Sequence, residues 1–356
     1  MEITVVQVPA AQRKQKPADE ATLGFGKIFT DHIFTMKYEQ RRGWYDAQVE
    51  PYRPLALAPT AMCLHYGQEI FEGMKAYRGE GGIYLFRPRD NINRMNVSAE
   101  RLCMPLVDPE VFMEGLLKLL ELDRDWIPHG EGTSMYIRPT MIATEAALGV
   151  HPASAYLFFI VLCPVGAYYA EGFSPTKIYV TEEYCRSVPG GVGYCKAAGN
   201  YAASLYAGKV AQQMGYTQVL WLDAVERKYV EEVGTSNIFF VIDGELVTPP
   251  LTGTLLGGIT RDSVIKLARY WNIPVAERPI SMDEILAAHA GGRLEEVFAS
   301  GTAAVVSPVG QIWYRGQEYV INGGSIGKLT ERLYYEILDI QYGRKEDPFG
   351  WRLKIA

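Results

Sequence analysis

The chain has 356 residues, 48% hydrophobic and 21% charged, enough apolar side chain for a large core and more length than one core usually organises. That length and apolar content exclude a disordered tail or a stapled mini-protein, and 35 Lys and Arg against 41 Asp and Glu leave a net charge of -6, which gives a nucleic-acid backbone nothing to hold. Cys63, Cys103, Cys163, Cys185 and Cys195 form no C-x-x-C pair, and the five histidines never stand three to five residues apart, so no metal site is expected and a reducing cytoplasm is.

At the start of the chain Arg13, Lys14 and Lys16 are followed by polar residues and a proline, not by the apolar core of an export signal, and residues 1–29 receive no role. Asp108 followed by Pro109 predicts an N-cap and first helical position, with Leu116, Leu117, Leu119 and Leu120 as the buried stripe. The apolar run from Ala155 to Ala170 is shorter than the roughly 20 residues a membrane helix needs. It is also broken by Pro164 and Gly166, so it reads as a buried strand followed by a loop, and no membrane partner is expected. The loss of periodicity that follows marks a junction: a smaller domain over 30–166, a connecting loop over 167–175, and a larger domain over 176–356.

Beyond it, Val219 to Leu222, Ile238 to Ile242 and Glu245 to Val247 read as strands, the last two joined by a hairpin at Asp243-Gly244. Thr260 is expected to cap a helix with Val264, Leu267, Ala268 and Trp271 on one face. Ser281 and Glu284 form the pattern of a capping box, and Leu329, Leu333, Ile337 and Ile340 stripe a last helix that Gly343 ends. Both halves mix helices with sheet, an α/β (α+β) class.

In the segment Ser187 to Gly208, Lys196 is the one charged residue, set among small and apolar side chains. Burial there would lower the amine's pKa and free it to attack a carbonyl as a Schiff-base lysine. The alternative is a loop lysine whose head reaches water. Gly253 to Ser263 runs from glycines into a helix start, where backbone N–H groups and the helix dipole favour a phosphate; a plain turn and cap is the alternative. Glu231 and Glu232 precede Val-Gly-Thr. On a strand they point to opposite faces, so one can reach inward toward a pyridine nitrogen while the other meets solvent, or both are solvated strand charges.

Taken together, LHYGQEIFEGMKAYR (64–78), LFRPRDNINRMNVSAERL (85–102), YIRP (136–139), KAAGNYAAS (196–204), EEVGTSNIFF (231–240), TPPLTGTLLGGITRDS (248–263) and EVFASGTAAVVSPV (296–309) resemble, in order, the branched-chain aminotransferases of the fold type IV pyridoxal-phosphate enzymes. The resemblance runs from about residue 30 to the C-terminus. It implies a small N-terminal α/β domain and a C-terminal pseudo-barrel domain, with pyridoxal 5'-phosphate between them. It makes Lys196 the Schiff-base lysine and proton-transfer base, and Glu232 the partner of the pyridine nitrogen. Tyr201 would hydrogen-bond the ring hydroxyl oxygen, and Arg94, Thr235, Ile259, Thr260 and Thr302 would complete the cofactor contacts.

Substrate contacts implied by the family are Phe71, Tyr136, Arg138, Tyr168 and the Thr302-Ala303 turn, with Tyr66 reaching in from the partner of a homodimer. The implied reaction is ping-pong transamination of L-leucine, L-isoleucine or L-valine with 2-oxoglutarate. Gly257 stands where the family often has proline and Ala198 where it often has glycine, which bears on loop stiffness. Ala304 and Ser307 stand where some relatives carry a redox cysteine pair, so no thiol switch is expected. The nearest rivals are a D-amino acid aminotransferase or an aminodeoxychorismate lyase of the same fold type. A nucleotide-binding or assembly module without the cofactor is the reading from another class.

Overall fold

The computed structural model describes residues 1–166 and 173–355. The chain forms two compact units: Met1–Tyr168 with Cys195–Gly199 and Asp339–Ala356, and Tyr169–Tyr194 with Asn200–Leu338. A division near 167–175 is what the sequence suggests. The return of two later pieces to the first unit, one of them carrying Lys196, leaves no local mark in the sequence.

In the first unit the strands are β1 (Thr4–Val5), β2 (His32–Glu39), β3 (Gly43–Pro51), β4 (Glu69–Phe71), β5 (Met74–Gly79), β6 (Gly82–Phe86), β7 (Ser134–Ala143) and β8 (Ala155–Val165). They lie in the order β1-β3-β2-β8-β7-β5-β6, with β4 also on β7. Strand alternation sorts their side chains. Met135, Ile137 and Met141 of β7 join Met74, Phe158 and Ile160 in the core, while Tyr136 and Arg138 take the other face.

Helices α1 (Met62–Tyr66), α2 (Pro88–Arg101) and α3 (Pro109–Leu122) belong to the same unit, and Ile92, Met95, Phe112, Leu116, Leu119 and Leu120 enter that core. Asp108 caps α3 as expected, accepting from Glu110 N–H at 2.8 Å. Leu117, assigned to the buried stripe, is 36% exposed instead, because it falls outside the arc set by its neighbours.

The second unit contains β9 (Thr176–Thr181), β10 (Gln218–Leu222), β11 (Val230–Val233), β12 (Ser236–Ile242), β13 (Glu245–Thr248), β14 (Val275–Glu277), β15 (Leu294–Gly301), β16 (Val305–Tyr314) and β17 (Gln317–Val320). The order β11-β10-β9-β16-β15-β12 closes on itself, because β11 also pairs with β12. This ring is the pseudo-barrel implied by the resemblance. Asp243 and Gly244, at φ 50° and 75°, make the two-residue turn between β12 and β13 that their identities predict.

Helices α4 (Ala198–Gln213), α5 (Ile259–Tyr270) and α6 (Met282–Ala290) follow the same chain logic. Ser281 caps α6 through Glu284 N–H at 3.1 Å, but the reciprocal half of the box is missing. Glu284 turns its carboxylate to Arg278, at 2.6 Å, an ion pair that competes for the same oxygens. In α7 (Lys328–Tyr342), Leu333, Ile337 and Ile340 are fully buried, and Gly343 at φ 76° ends the helix. The last strand, β18 (Arg352–Lys354), completes the first sheet by pairing with β6.

Residues 1–29 are also structured. Ile3, Val8 and Leu23 are buried, and β1 runs parallel to β3. Among the described residues no helix is long and apolar enough to cross a membrane.

Candidate active site

In the first unit the predicted lysine is held by its backbone, which leaves its side chain to its surroundings. Lys196 carbonyl oxygen accepts from Phe71 N–H at 3.1 Å, Lys196 N–H donates to Ser98 Oγ at 2.9 Å, and Ala197 bridges Ile70. The Nζ atom lies 4.9 Å from the centre of the Phe71 ring. Burial, then the nearby Arg94 guanidinium, bring the amine down to about 8 against the opposing pull of Glu72. A lysine so placed carries a usable fraction of nucleophilic amine near neutral pH.

Arg94, on α2, does not stand alone. It forms a two-pronged pair with fully buried Glu72, Nε to Oε1 at 2.7 Å and Nη2 to Oε2 at 2.8 Å. Asn91 Nδ2 and Gly73 N–H also donate to Glu72 Oε2, at 2.8 and 3.1 Å. Burial alone would raise Glu72, but Arg94, Lys196 and Asn91 outweigh it and hold its carboxyl below the ordinary range.

The substrate candidates on this unit meet around the same strands. Arg138 Nη2 donates to Tyr136 Oη at 2.9 Å, and the guanidinium lies 4.6 Å from the Phe71 ring centre. Arg138 Nε is buried without a hydrogen-bond partner. Gly73 is required here, since a Cβ would fall 2.2 Å from Tyr136 Oη. Lys75 stands opposite Tyr136 in the β5–β7 ladder and is buried, which brings its amine down to about 8. Tyr66 ends α1, is 41% exposed, and donates its hydroxyl to Leu148 carbonyl. Tyr168 lies outside the described residues.

In the second unit the carboxylate is the centre. The sequence divides Glu231 and Glu232 between inside and solvent, or solvates both; in the structure both are buried, at 8% and 2% exposure, so both faces of β11 are covered. Burial raises Glu231. Glu232 Oε2 forms an ion pair with Arg186 Nε at 2.6 Å, while its Oε1 receives Asn237 Nδ2 and Leu256 N–H, each at 3.2 Å. Arg186 is itself fixed by the Gly193 and Thr254 carbonyls at 3.1 and 3.3 Å. Across the ladders Glu232 stands opposite Asn237, and Asn237 opposite Ser300, whose buried Oγ has no hydrogen-bond partner.

Asn237 also donates to Leu256 carbonyl at 2.9 Å, which ties the carboxylate to the loop entering α5. That helix begins at Ile259, one residue before the position assigned by sequence. Gly258 is its N-cap with no side-chain cap, and Thr260 is a buried residue of the first turn. A Cβ on Gly258 would fall 2.0 Å from Asn237 Oδ1, so only glycine lets the loop pass this close. Thr235 is exposed in the β11–β12 turn, Thr302 and Ala303 form the β15–β16 turn, and Tyr201 is half-buried on α4.

Sequence reasoning missed Glu72, Asn91, Arg186, Asn237 and Ser300. Glu72 and Arg186 lie between elements, Asn91 on α2, and Asn237 and Ser300 on β12 and β15, and none carries a local signal that sets it apart from an ordinary polar residue.

These groups suit a pyridine aldehyde bearing a phosphate: a depressed buried amine, a buried carboxylate held ionic by arginine, a helix N-terminus, and unpartnered Arg138 Nε and Ser300 Oγ. Residues 69–312 match the family model described as amino-transferase class IV. The chain is 54% identical over 344 residues to the Bacillus subtilis (strain 168) protein named branched-chain-amino-acid transaminase 1, covering 96% of each. The Escherichia coli branched-chain amino acid aminotransferase structure matches with a TM-score of 0.78 and 29% identity, over 92% of this chain and 99% of that one. The branched-chain amino acid aminotransferase of T.th., solved with pyridoxamine 5'-phosphate, matches with a TM-score of 0.75 and 28% identity, over 90% of this chain and 98% of that one. The chain therefore belongs to the class IV aminotransferases, pyridoxal-phosphate enzymes of fold type IV.

Proposed function

We propose that this chain reversibly transfers the amino group between L-leucine, L-isoleucine or L-valine and 2-oxoglutarate. The observation that carries the reading is the Phe71, Tyr136 and Arg138 group beside Lys196: aromatic surface for an aliphatic chain, with a cation able to meet a second carboxylate. The named similarity to branched-chain enzymes points the same way.

Bound pyridoxal phosphate supplies the electrophilic carbon and the electron sink that make the substrate α-proton removable. Lys196 Nζ takes that proton and returns it. Glu232, kept anionic by Arg186, holds a proton at the ring nitrogen, and Tyr201 serves the ring hydroxyl oxygen. The Ile259 and Thr260 backbone, Arg94, Thr235 and Thr302 hold the phosphate end. Arg138 and the Thr302-Ala303 turn receive carboxylates, and Tyr168 joins the substrate wall.

Tyr66 completes the site of a second copy in a homodimer. Its exposure, beside Leu148 at 61% and Val150 at 83%, supports a surface of the kind an interface covers. A cytoplasmic setting is supported by five cysteines that are all thiols.

The test is the visible absorption of purified protein given L-leucine without any 2-oxo acid. The cofactor band should bleach stoichiometrically and return on adding 2-oxoglutarate. A band that responds to D-alanine and not to L-leucine would replace the substrate class and keep the fold type.

A further inference from the structure

We propose that the buried Asp123–His32 pair is a clasp that docks residues 1–29 and thereby seats Phe25 on Tyr136, making Asp123 and His32 positioning residues for the substrate side chain. The inference rests on the reading of Tyr136 as a substrate wall. His32 opens β2 and Asp123 closes α3, with exposures of 1% and 2%. Asp123 Oδ2 accepts from His32 backbone N–H at 3.0 Å, and its Oδ1 faces His32 Nδ1 at 2.6 Å. Val8 N–H points at His32 Nε2 from 2.9 Å. A backbone N–H can only donate, so Nε2 presents its lone pair and the ring proton sits on Nδ1, directed at Asp123. The carboxylate thus selects the tautomer that can hold Val8.

The same strap is tied down in register after Val8. Asp31 accepts from Lys14 N–H at 2.8 Å and from Trp126 Nε1 at 2.9 Å, while the Lys14 ammonium donates to Thr30 carbonyl at 2.6 Å. Glu20 receives His129 and Gly130 N–H groups, the latter at 2.6 Å. Gly24 carbonyl accepts from Gly166 N–H at 3.0 Å. Directly after it, the Phe25 ring meets Tyr136 edge-on at 4.9 Å, and Phe25 and Phe29 pack on Tyr136, Cys163 and Val165. Asp123 and His32 touch none of the site residues; they act through the strap.

The experiment uses the full-length holoenzyme and the Asp123→Asn and Phe25→Ala variants. The amide of D123N keeps the volume but donates to Nδ1, moving the ring proton to Nε2, where it opposes Val8 N–H. Trypsin cleavage after Arg13 and Lys14 should then accelerate by about tenfold or more, because the strap opens locally. The KM for L-leucine should rise at least about threefold with kcat changed by less than about twofold. F25A should give the same KM rise with the cleavage rate of the parent. Unchanged cleavage in D123N would overturn the clasp, and an unchanged KM in F25A, or kcat losses without a KM change in D123N, would overturn the positioning role. If the parent enzyme itself failed to use L-leucine, the proposed function would fall while the cleavage comparison still decided the clasp.

Discussion

Each unit buries one arginine–glutamate pair of the candidate site, and the two are built in opposite senses. In the first unit the carboxylate of Glu72 is fully enclosed by Arg94, Asn91 and Gly73, and Lys196 feels the arginine more strongly than the acid. In the second, Arg186 is anchored by backbone carbonyls so that Glu232 stays an anion, with Asn237 and Leu256 setting its direction. One pair fixes a cation beside an amine; in the other the arginine is the anchored partner and the carboxylate is the group whose direction is set. A buried ion pair adds little net stability over apolar packing, so the arrangement is better understood as placing one charge of chosen sign in a dry setting.

The largest effect should come from removing the amine that the first pair faces. Lys196→Ala should lower turnover by more than about 10^4-fold, and the protein incubated with pyridoxal phosphate should lose its visible band. A variant retaining activity would end the assignment. Next, Glu232→Gln strands Arg186 in the second unit, and chemical denaturation should show a loss of about 3–5 kcal/mol together with a fall in kcat.

Glu72→Gln is the matching break in the first unit, with a different signature. It strands Arg94 and removes the charge that raises Lys196, so the amine should fall further below about 8. Uptake of pyridoxal phosphate by the cofactor-free protein needs the neutral amine. Its rate should therefore climb with pH up to about 8 in the parent and level off above it, while in E72Q the plateau starts at lower pH, followed by absorbance. An unshifted limb in E72Q would show that the two pairs do not differ as described.

Arg138→Met should cut kcat/KM for glutamate by about 10- to 100-fold, the worth of a hydrogen bond to a charged group, and for leucine by less than about fivefold. Equal losses would remove Arg138 from carboxylate recognition. The smallest effect is expected from Gly258→Ala, whose Cβ must displace Asn237; the strain should lower stability by about 1–3 kcal/mol and shift the melting temperature.

The parts of this molecule legible in the sequence are those whose cause is local. Asp108 before Pro109, Asp243 before Gly244 and Gly343 after a striped helix each carry their own conformational instruction. Lys196 stands out because a lone charge among small apolar residues is unusual wherever it folds. Glu72 and Arg186 are silent, since a glutamate 22 residues from its arginine looks like any surface charge until α2 and β4 are brought together. The two glutamates on β11 mislead for the same reason: alternation predicts opposite faces, but not that both faces of a ring strand are covered. His32, in sequence only a histidine without a metal partner nearby, is satisfied by Asp123 and Val8.

The path of the chain has a consequence for how such a molecule can be divided. Cys195–Gly199 and Asp339–Ala356 belong to the first unit although the second unit's residues lie on both sides of the former and before the latter. A polypeptide severed near residue 170 would leave the amino-terminal fragment without the lysine segment and without the β-strand that finishes its sheet. Neither fragment is a self-sufficient genetic module. Reassembly of the severed pieces would instead be an all-or-none reporter, because the segment carrying Lys196 is donated by one piece to the sheet of the other.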